Sequence, residues 1–212
     1  MTVVLPPSVT TVLFDMDGVL IDSSIAVVEG YSAWAMENDL DPDEVLSIVH
    51  GRRTIEVVIE FGFSDDAETE ADRLERSIAE RATIENAIEA TCELYRALDP
   101  ARVGVATSAR RETALSNLEV LGLERPRVLV NGQDVEAGKP SPDPYLLAAK
   151  LIGARPEECV VIEDAPAGIL AGKAAGCHVI ALVTTHEADE LGHADQVIEP
   201  GQLQEVFERL IR

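Results

Sequence analysis

Positive charge is scarce in this sequence. Lys139, Lys150 and Lys173 are its only lysines, and 17 basic side chains face 39 acidic ones, for a formal net charge of −22. Proteins that hold a nucleic-acid backbone carry a basic face, so no nucleic-acid partner is expected. An anionic small molecule stays admissible, but it must meet a locally positive site. Long apolar runs are missing too. None approaches the roughly 20 residues that a spanning helix needs, so no membrane partner is expected. The first residues, Met1–Val9, have neither the cationic flank nor the apolar segment of a secretory signal. A cytoplasmic location is the expectation. Paired cysteines are also absent. Cys92, Cys159 and Cys177 are scattered, with no metal-type spacing, which reads as buried free thiols in a reducing compartment.

What is present is a globular composition: 212 residues, 46% of them hydrophobic, with no internal repeat. That length holds one good core, or a core and a small insert. The apolar run Val12–Phe14 reads as a strand buried on both faces. Ser23 or Ser24 caps a helix to about Asn38, and Asp41-Pro42 starts another through Val49. His50–Arg53 is a loop, and Thr54 opens a helix ending near Gly62. The chain then reads helical from Asp65 to about Leu98, with a break near Thr83–Asn86. Beyond Pro100 the pattern changes. Strands are expected at Val103–Ala106, Val128–Val130, Val160–Ile162, Val179–Val183 and Gln196–Ile198, with helices between them and one closing the chain. The proline-rich stretch 138–144 reads as loop, with a helix from Tyr145.

Strands alternating with helices mean a parallel sheet. The expected fold class is therefore α/β: a Rossmann-like, doubly wound parallel sheet with an inserted all-α cap domain. Residues 1–22 and 97–212 would form the catalytic core, and 23–96 the helical cap. Ligands of such sheets bind beyond the carboxyl ends of the strands, and an insertion there lies over the crevice as a lid does.

Four strand ends carry chemistry. Asp15 and Asp17 follow the first strand, Thr107 and Ser108 the second, and Glu163 and Asp164 the fourth; Lys139 lies in the loop after the third. Alone, each has a bland reading. Asp-x-Asp-Gly can simply end a strand, Thr-Ser can cap a helix, and a loop lysine can be solvated. Together they suit phosphoryl transfer. A carboxylate such as Asp15 can accept a phosphoryl group, and Asp17 can move a proton. Two anions repel, so a bridging Mg²⁺ is expected. Thr107 can donate to a phosphoryl oxygen, and Lys139 supplies compact positive charge.

In order, Asp15-Met16-Asp17-Gly18-Val19, Thr107-Ser108, Gly138-Lys139-Pro140 and Glu163-Asp164-Ala165-Pro166-Ala167-Gly168 resemble the four motifs of haloacid dehalogenase superfamily phosphatases with a helical cap. The resemblance implies Asp15 as nucleophile and Asp17 as general acid/base. It implies Mg²⁺ held by Asp15, the Asp17 main-chain carbonyl and Asp164, with Glu163 beside or in that shell. Thr107, the Ser108 amide and Lys139 would hold the phosphoryl group. His50-Gly51-Arg52-Arg53-Thr54, with the run Glu163–Cys177, is similar to the glycerol-phosphate and 2-deoxyglucose-6-phosphate phosphatases. That implies a small sugar or polyol phosphate, read by His50, Gly51 and Arg53. Asn86-Ala87 departs from the family's Pro-Gly before the last cap helix. A β-phosphoglucomutase-like phosphotransferase shares the four motifs but carries a cap histidine that Ile25–Glu29 lacks. A receiver-like signalling domain also sets Asp, Thr or Ser and Lys at strand ends, without the helical insertion. The oligomeric state is open, with a monomer favoured.

Overall fold

A computed structural model describes residues 5–49, 51–63 and 65–211, with the side chains of Arg209 and Ile211 excepted. Its centre is a six-stranded parallel sheet: β1 (Thr11–Phe14), β2 (Val103–Ala106), β3 (Val128–Val130), β4 (Cys159–Glu163), β5 (His178–Leu182) and β6 (Gln196–Ile198), in the order β3-β2-β1-β4-β5-β6. The order reverses between β1 and β4, whose register pairs Phe14 with Ile162. A crevice opens at such a reversal, beyond the carboxyl ends of the strands. Asp15 and Glu163-Asp164 therefore meet there.

Successive side chains of a strand point to opposite faces. Val12 and Phe14 enter one apolar layer with Val105, Ile162 and Leu182, whereas Leu13 enters the other with Ala106, Val130 and Val161. The second layer is covered by α7 (Asp143–Ile152) and α8 (Pro166–Ala175). α7 begins two residues before the expected start at Tyr145. Pro144 causes no break, because the first helical turn has no use for its missing N–H. The first layer is covered by α5 (Glu89–Ala97), α6 (Arg111–Val120) and α9 (Leu203–Ile211).

The described residues between 23 and 96 form helices and turns, but they do not pack as one unit. α1 (Ser24–Glu37), α2 (Pro42–Leu46), α3 (Thr54–Glu60) and α4 (Ala67–Ala79) share their own apolar cluster around Trp34. Phe63 and Phe61 lie against the Trp34 ring at centroid distances of 5.2 and 6.3 Å, and its Nε1 donates to Glu70 at 3.1 Å. α5 does not join them. Its Cys92, Leu94 and Tyr95 sit in the sheet's first layer, with Tyr95 edge-on to Phe14 at 5.5 Å. Burying a side chain of that size contributes about 1.5–3 kcal/mol, so packing ties α5 to the sheet. α2 is shorter than its sequence suggests. Ser47 bonds back to the Glu44 carbonyl at 2.7 Å, and such a local bond competes with the helix.

The break near 83–86 is a 3₁₀ turn, Ile84–Asn86, closed by Asn86 Oδ1, which accepts from Thr83 N and Oγ1. There the two crossings between helical unit and sheet run side by side. Asp22 N donates to Asn86 O at 2.7 Å and Ile88 N to Leu20 O at 3.1 Å. That antiparallel pairing, with Ile21 bridged to Ala87, stands at the Asn86-Ala87 departure.

Candidate active site

β1 ends at Phe14, and the Asp15 N–H continues the ladder to Ile162 O at 3.0 Å. The chain then turns through Gly18, at φ +73°. A Cβ there would stand 2.0 Å from Asp164 Oδ2, so only glycine lets the two loops approach. Thr184 Oγ1 donates to the Gly18 carbonyl at 2.6 Å and pins the turn to the end of β5.

Lys139 bridges two carboxylates. Its Nζ lies 2.7 Å from Asp15 Oδ1 and 2.7 Å from Glu163 Oε1, and all three groups are buried. The Asp15 contact is an ion pair that leaves Oδ1 without a well-aligned hydrogen bond. Glu163, in contrast, is fully engaged. Oε1 also accepts from Tyr145 Oη at 2.7 Å, and Oε2 accepts from the N–H groups of Asp164 and Ala165 at 2.9 and 3.1 Å. Gly168 leaves the space that this carboxylate fills; a Cβ there would fall 1.6 Å from Oε1. The Tyr145 ring also faces Nζ at 5.2 Å from its centroid, a cation–π distance.

These partners set the charges. Burial alone would raise Glu163, yet Lys139, Tyr145 and the backbone donors hold it below the ordinary carboxylate range. Burial, then repulsion from Glu163, pushes Asp15 up to about 7 against the pull of Lys139. Burial, then Glu163 and Asp15, raises Asp164 well above its usual value. Burial also raises Asp17, whose Oδ1 accepts from Ser23 Oγ at 2.7 Å. Thr185 donates to Asp164 Oδ2.

Asp15, Glu163 and Asp164 offer ligand oxygens that lie within 4.8 Å of one another. These three buried carboxylates, with Asp17 beside them, face one lysine, and like charges so crowded take up protons or further positive charge. A hard divalent cation with oxygen ligands suits that donor set. Asp15 and Asp164 have lone pairs to give. Those of Glu163 are taken by four protein donors, and its place is behind Lys139.

Of the other predicted residues, Thr107 is buried at the end of β2, and its Oγ1 accepts from Ala109 N at 3.1 Å. Ser108 Oγ donates to the Gly51 carbonyl at 2.8 Å and joins the helical unit to the sheet. Gly51 turns at φ +75° and lines the cavity over Asp15. His50 lies outside the described residues. Arg53 is not on the cavity wall. Its guanidinium donates to the carbonyls of Gly132, Val135 and Glu136 at 2.9–3.1 Å and to Glu56 Oε1 at 2.5–2.8 Å. It braces the helical unit against the loop that leads to Lys139. Arg52 does reach the cavity, paired with Glu60 at 2.8 Å.

The cavity has a volume of about 100 Å³, and Asp15, Asp17 and Asp164 line it from the strand ends. Tyr31, Thr54 and Glu75 line it from the helical unit. Tyr31 Oη donates to Thr54 Oγ1 at 3.2 Å. Glu75 is buried, and its Oε2 accepts from Arg110 N at 2.8 Å and Thr113 Oγ1 at 3.2 Å. Burial raises its pKa, against those donors and Thr54. Tyr145, Thr185 and this trio are missing from the sequence-based set. Thr185 could have been found by its place after β5; Glu75 sits in an acid-rich helix and carries no local signal.

The family model described as haloacid dehalogenase-like hydrolase matches residues 12–182. Hexitol phosphatase A of Escherichia coli (strain K12) is 41% identical over 191 residues, covering 88% of each chain. Glycerol-1-phosphate phosphohydrolase 2 of Saccharomyces cerevisiae is 35% identical over 196 residues, covering 86% of this chain and 78% of its own. Among solved structures, a hydrolase from Pseudomonas syringae superposes with a TM-score of 0.82 at 26% identity, covering 95% of this chain and 99% of its own.

Proposed function

The chain belongs to the haloacid dehalogenase-like hydrolase family, and on that premise we propose that it is a Mg²⁺-dependent phosphatase of small sugar or polyol phosphate monoesters. The observation that carries this reading is the excess of buried carboxylate, Asp15 and Asp164 with Asp17, around a single lysine at the β1–β4 crevice. The names of the similar phosphatases support the substrate class.

In this reading the Asp15 carboxylate attacks phosphorus. The ester P–O bond breaks as the bond to Asp15 forms, giving an aspartyl phosphate. Asp17 gives its proton to the departing alkoxide. Its buried setting favours the protonated form, and Ser23 orients the carboxyl. Asp17, now a carboxylate, takes a proton from water, which attacks phosphorus and frees the Asp15 carboxylate and inorganic phosphate. Lys139, held by Glu163 and Tyr145, stays cationic because its two carboxylates outweigh the cost of burial, and it steadies the developing charge. Asp15, Asp164 and the Asp17 carbonyl would hold Mg²⁺, which when bound offsets repulsion between carboxylate and phosphoryl oxygens. The ends of β1 and β4 serve as the fixed platform, and α1–α4 as the cap.

A panel of phosphate esters, assayed by phosphate release with Mg²⁺ and with chelator, tests this. Mg²⁺-dependent release from polyol or sugar phosphates is expected. No release from any ester contradicts it.

A further inference from the structure

The helical unit lines the same cavity as Asp15, and its polar groups there form a directed chain. Tyr31 donates to Thr54, and Thr54 lies against Glu75. Arg110 N and Thr113 Oγ1 anchor the same carboxylate from the sheet side. A carboxylate accepts about four hydrogen bonds, so Glu75 keeps acceptor capacity, and it lines the cavity. Arg110 N, Thr113 and Thr54 already satisfy most of it, so a ligand group that adds to it must be a donor. A phosphate cannot serve, because it brings negative charge to a carboxylate. Hydroxyl groups can.

We infer that Glu75, with Thr54 and Tyr31, recognises the hydroxyl groups of the substrate's alcohol part, and that the helical side of the cavity takes a neutral polyhydroxylated chain. The assignment rests on the phosphatase reading and adds to it where the ester is told from others. It moves recognition away from Arg53, whose guanidinium is occupied by backbone carbonyls. Arg52, the cation on the same wall, is paired with Glu60. A site that hydrogen-bonds hydroxyls rejects a chain lacking them, since its own polar groups are then left unpaired. The competing role for Glu75 is purely structural: it stands at the N-terminus of α6 and could merely latch the helical unit to the sheet.

Binding separates the two roles without turnover. In an Asp15→Asn background with Mg²⁺, calorimetry would compare sorbitol 6-phosphate with n-hexyl phosphate, which has the same carbon count and no further hydroxyl. The hydroxylated ester should bind about 10- to 100-fold tighter. Adding Glu75→Gln, of equal size, should erase most of that ratio. Tyr31→Phe, which removes one oxygen and disturbs packing least, should reduce it less. Equal weakening of both esters by Glu75→Gln makes it a latch and overturns the assignment, as does an unchanged ratio. Failure of sorbitol 6-phosphate to bind overturns it too. Phosphate release by the wild-type chain reports separately on the phosphatase reading.

Discussion

The sheet side and the helical side of the cavity are built on different physical terms. On the sheet side, the groups are charged, buried and packed against one another. Lys139 has two carboxylates, Glu163 has four donors, and Gly18 and Gly168 exist to let them close. On the helical side, the groups are a phenol, a hydroxyl and one carboxylate, joined in a chain of hydrogen bonds. The first arrangement suits a reaction common to many esters. The second can change its reading through a single side chain. In the proposed reading, chemistry and substrate identity belong to separate packing units, which meet at Asn86, Ser108 and Arg53.

Breaking the sheet side should be nearly total. Asp15→Asn keeps size and removes the nucleophile, so kcat should fall by at least about 10⁴-fold for every ester, with an unchanged circular-dichroism spectrum. Near-wild-type turnover by the folded variant would end the covalent mechanism. Chelation should remove activity reversibly. Mg²⁺ at about 100 times its Kd should add about 2.7 kcal/mol, or roughly 5–10 °C in Tm. Asp164→Asn should blunt that shift, and a full shift in this variant would take Asp164 out of the metal site.

Asp17→Asn comes next, at roughly 10²–10⁴-fold. The loss in single-turnover phosphorylation should be larger for an alkyl than for an aryl phosphate, because the alkoxide needs the proton more. Equal losses would count against the acid role. Arg53→Ala is the smallest. It should cost about 1–3 kcal/mol of stability and lower kcat/KM by a similar factor for polyol and aryl esters, because it loosens the brace near Lys139. A loss confined to polyol esters would return Arg53 to the reading side.

The sheet side was legible in the sequence because its logic is local. Asp15, Thr107 and Glu163-Asp164 each follow a short apolar run, and β-strand order brings them together. Even there, the role of Glu163 emerges only from Tyr145, which on sequence belongs to the apolar face of α7. The helical side was largely illegible. Glu75 meets Arg110 across 35 positions, and Tyr31 meets Thr54 across 23; no spacing rule announces such pairs. Arg53 was noticed for its charge, but only the fold shows that three backbone carbonyls take up its guanidinium. The packing of α5 with the sheet was missed because its apolar stripe resembles that of the helices before it.

The covalent step at Asp15 is the claim on which the chemistry depends. Rapid acid quench of a single turnover with a radiolabelled polyol phosphate, followed by peptide mapping, measures it directly. The account predicts label on the peptide containing Asp15, rising before free phosphate and absent in Asp15→Asn. Free phosphate appearing with no labelled protein at any time would contradict it.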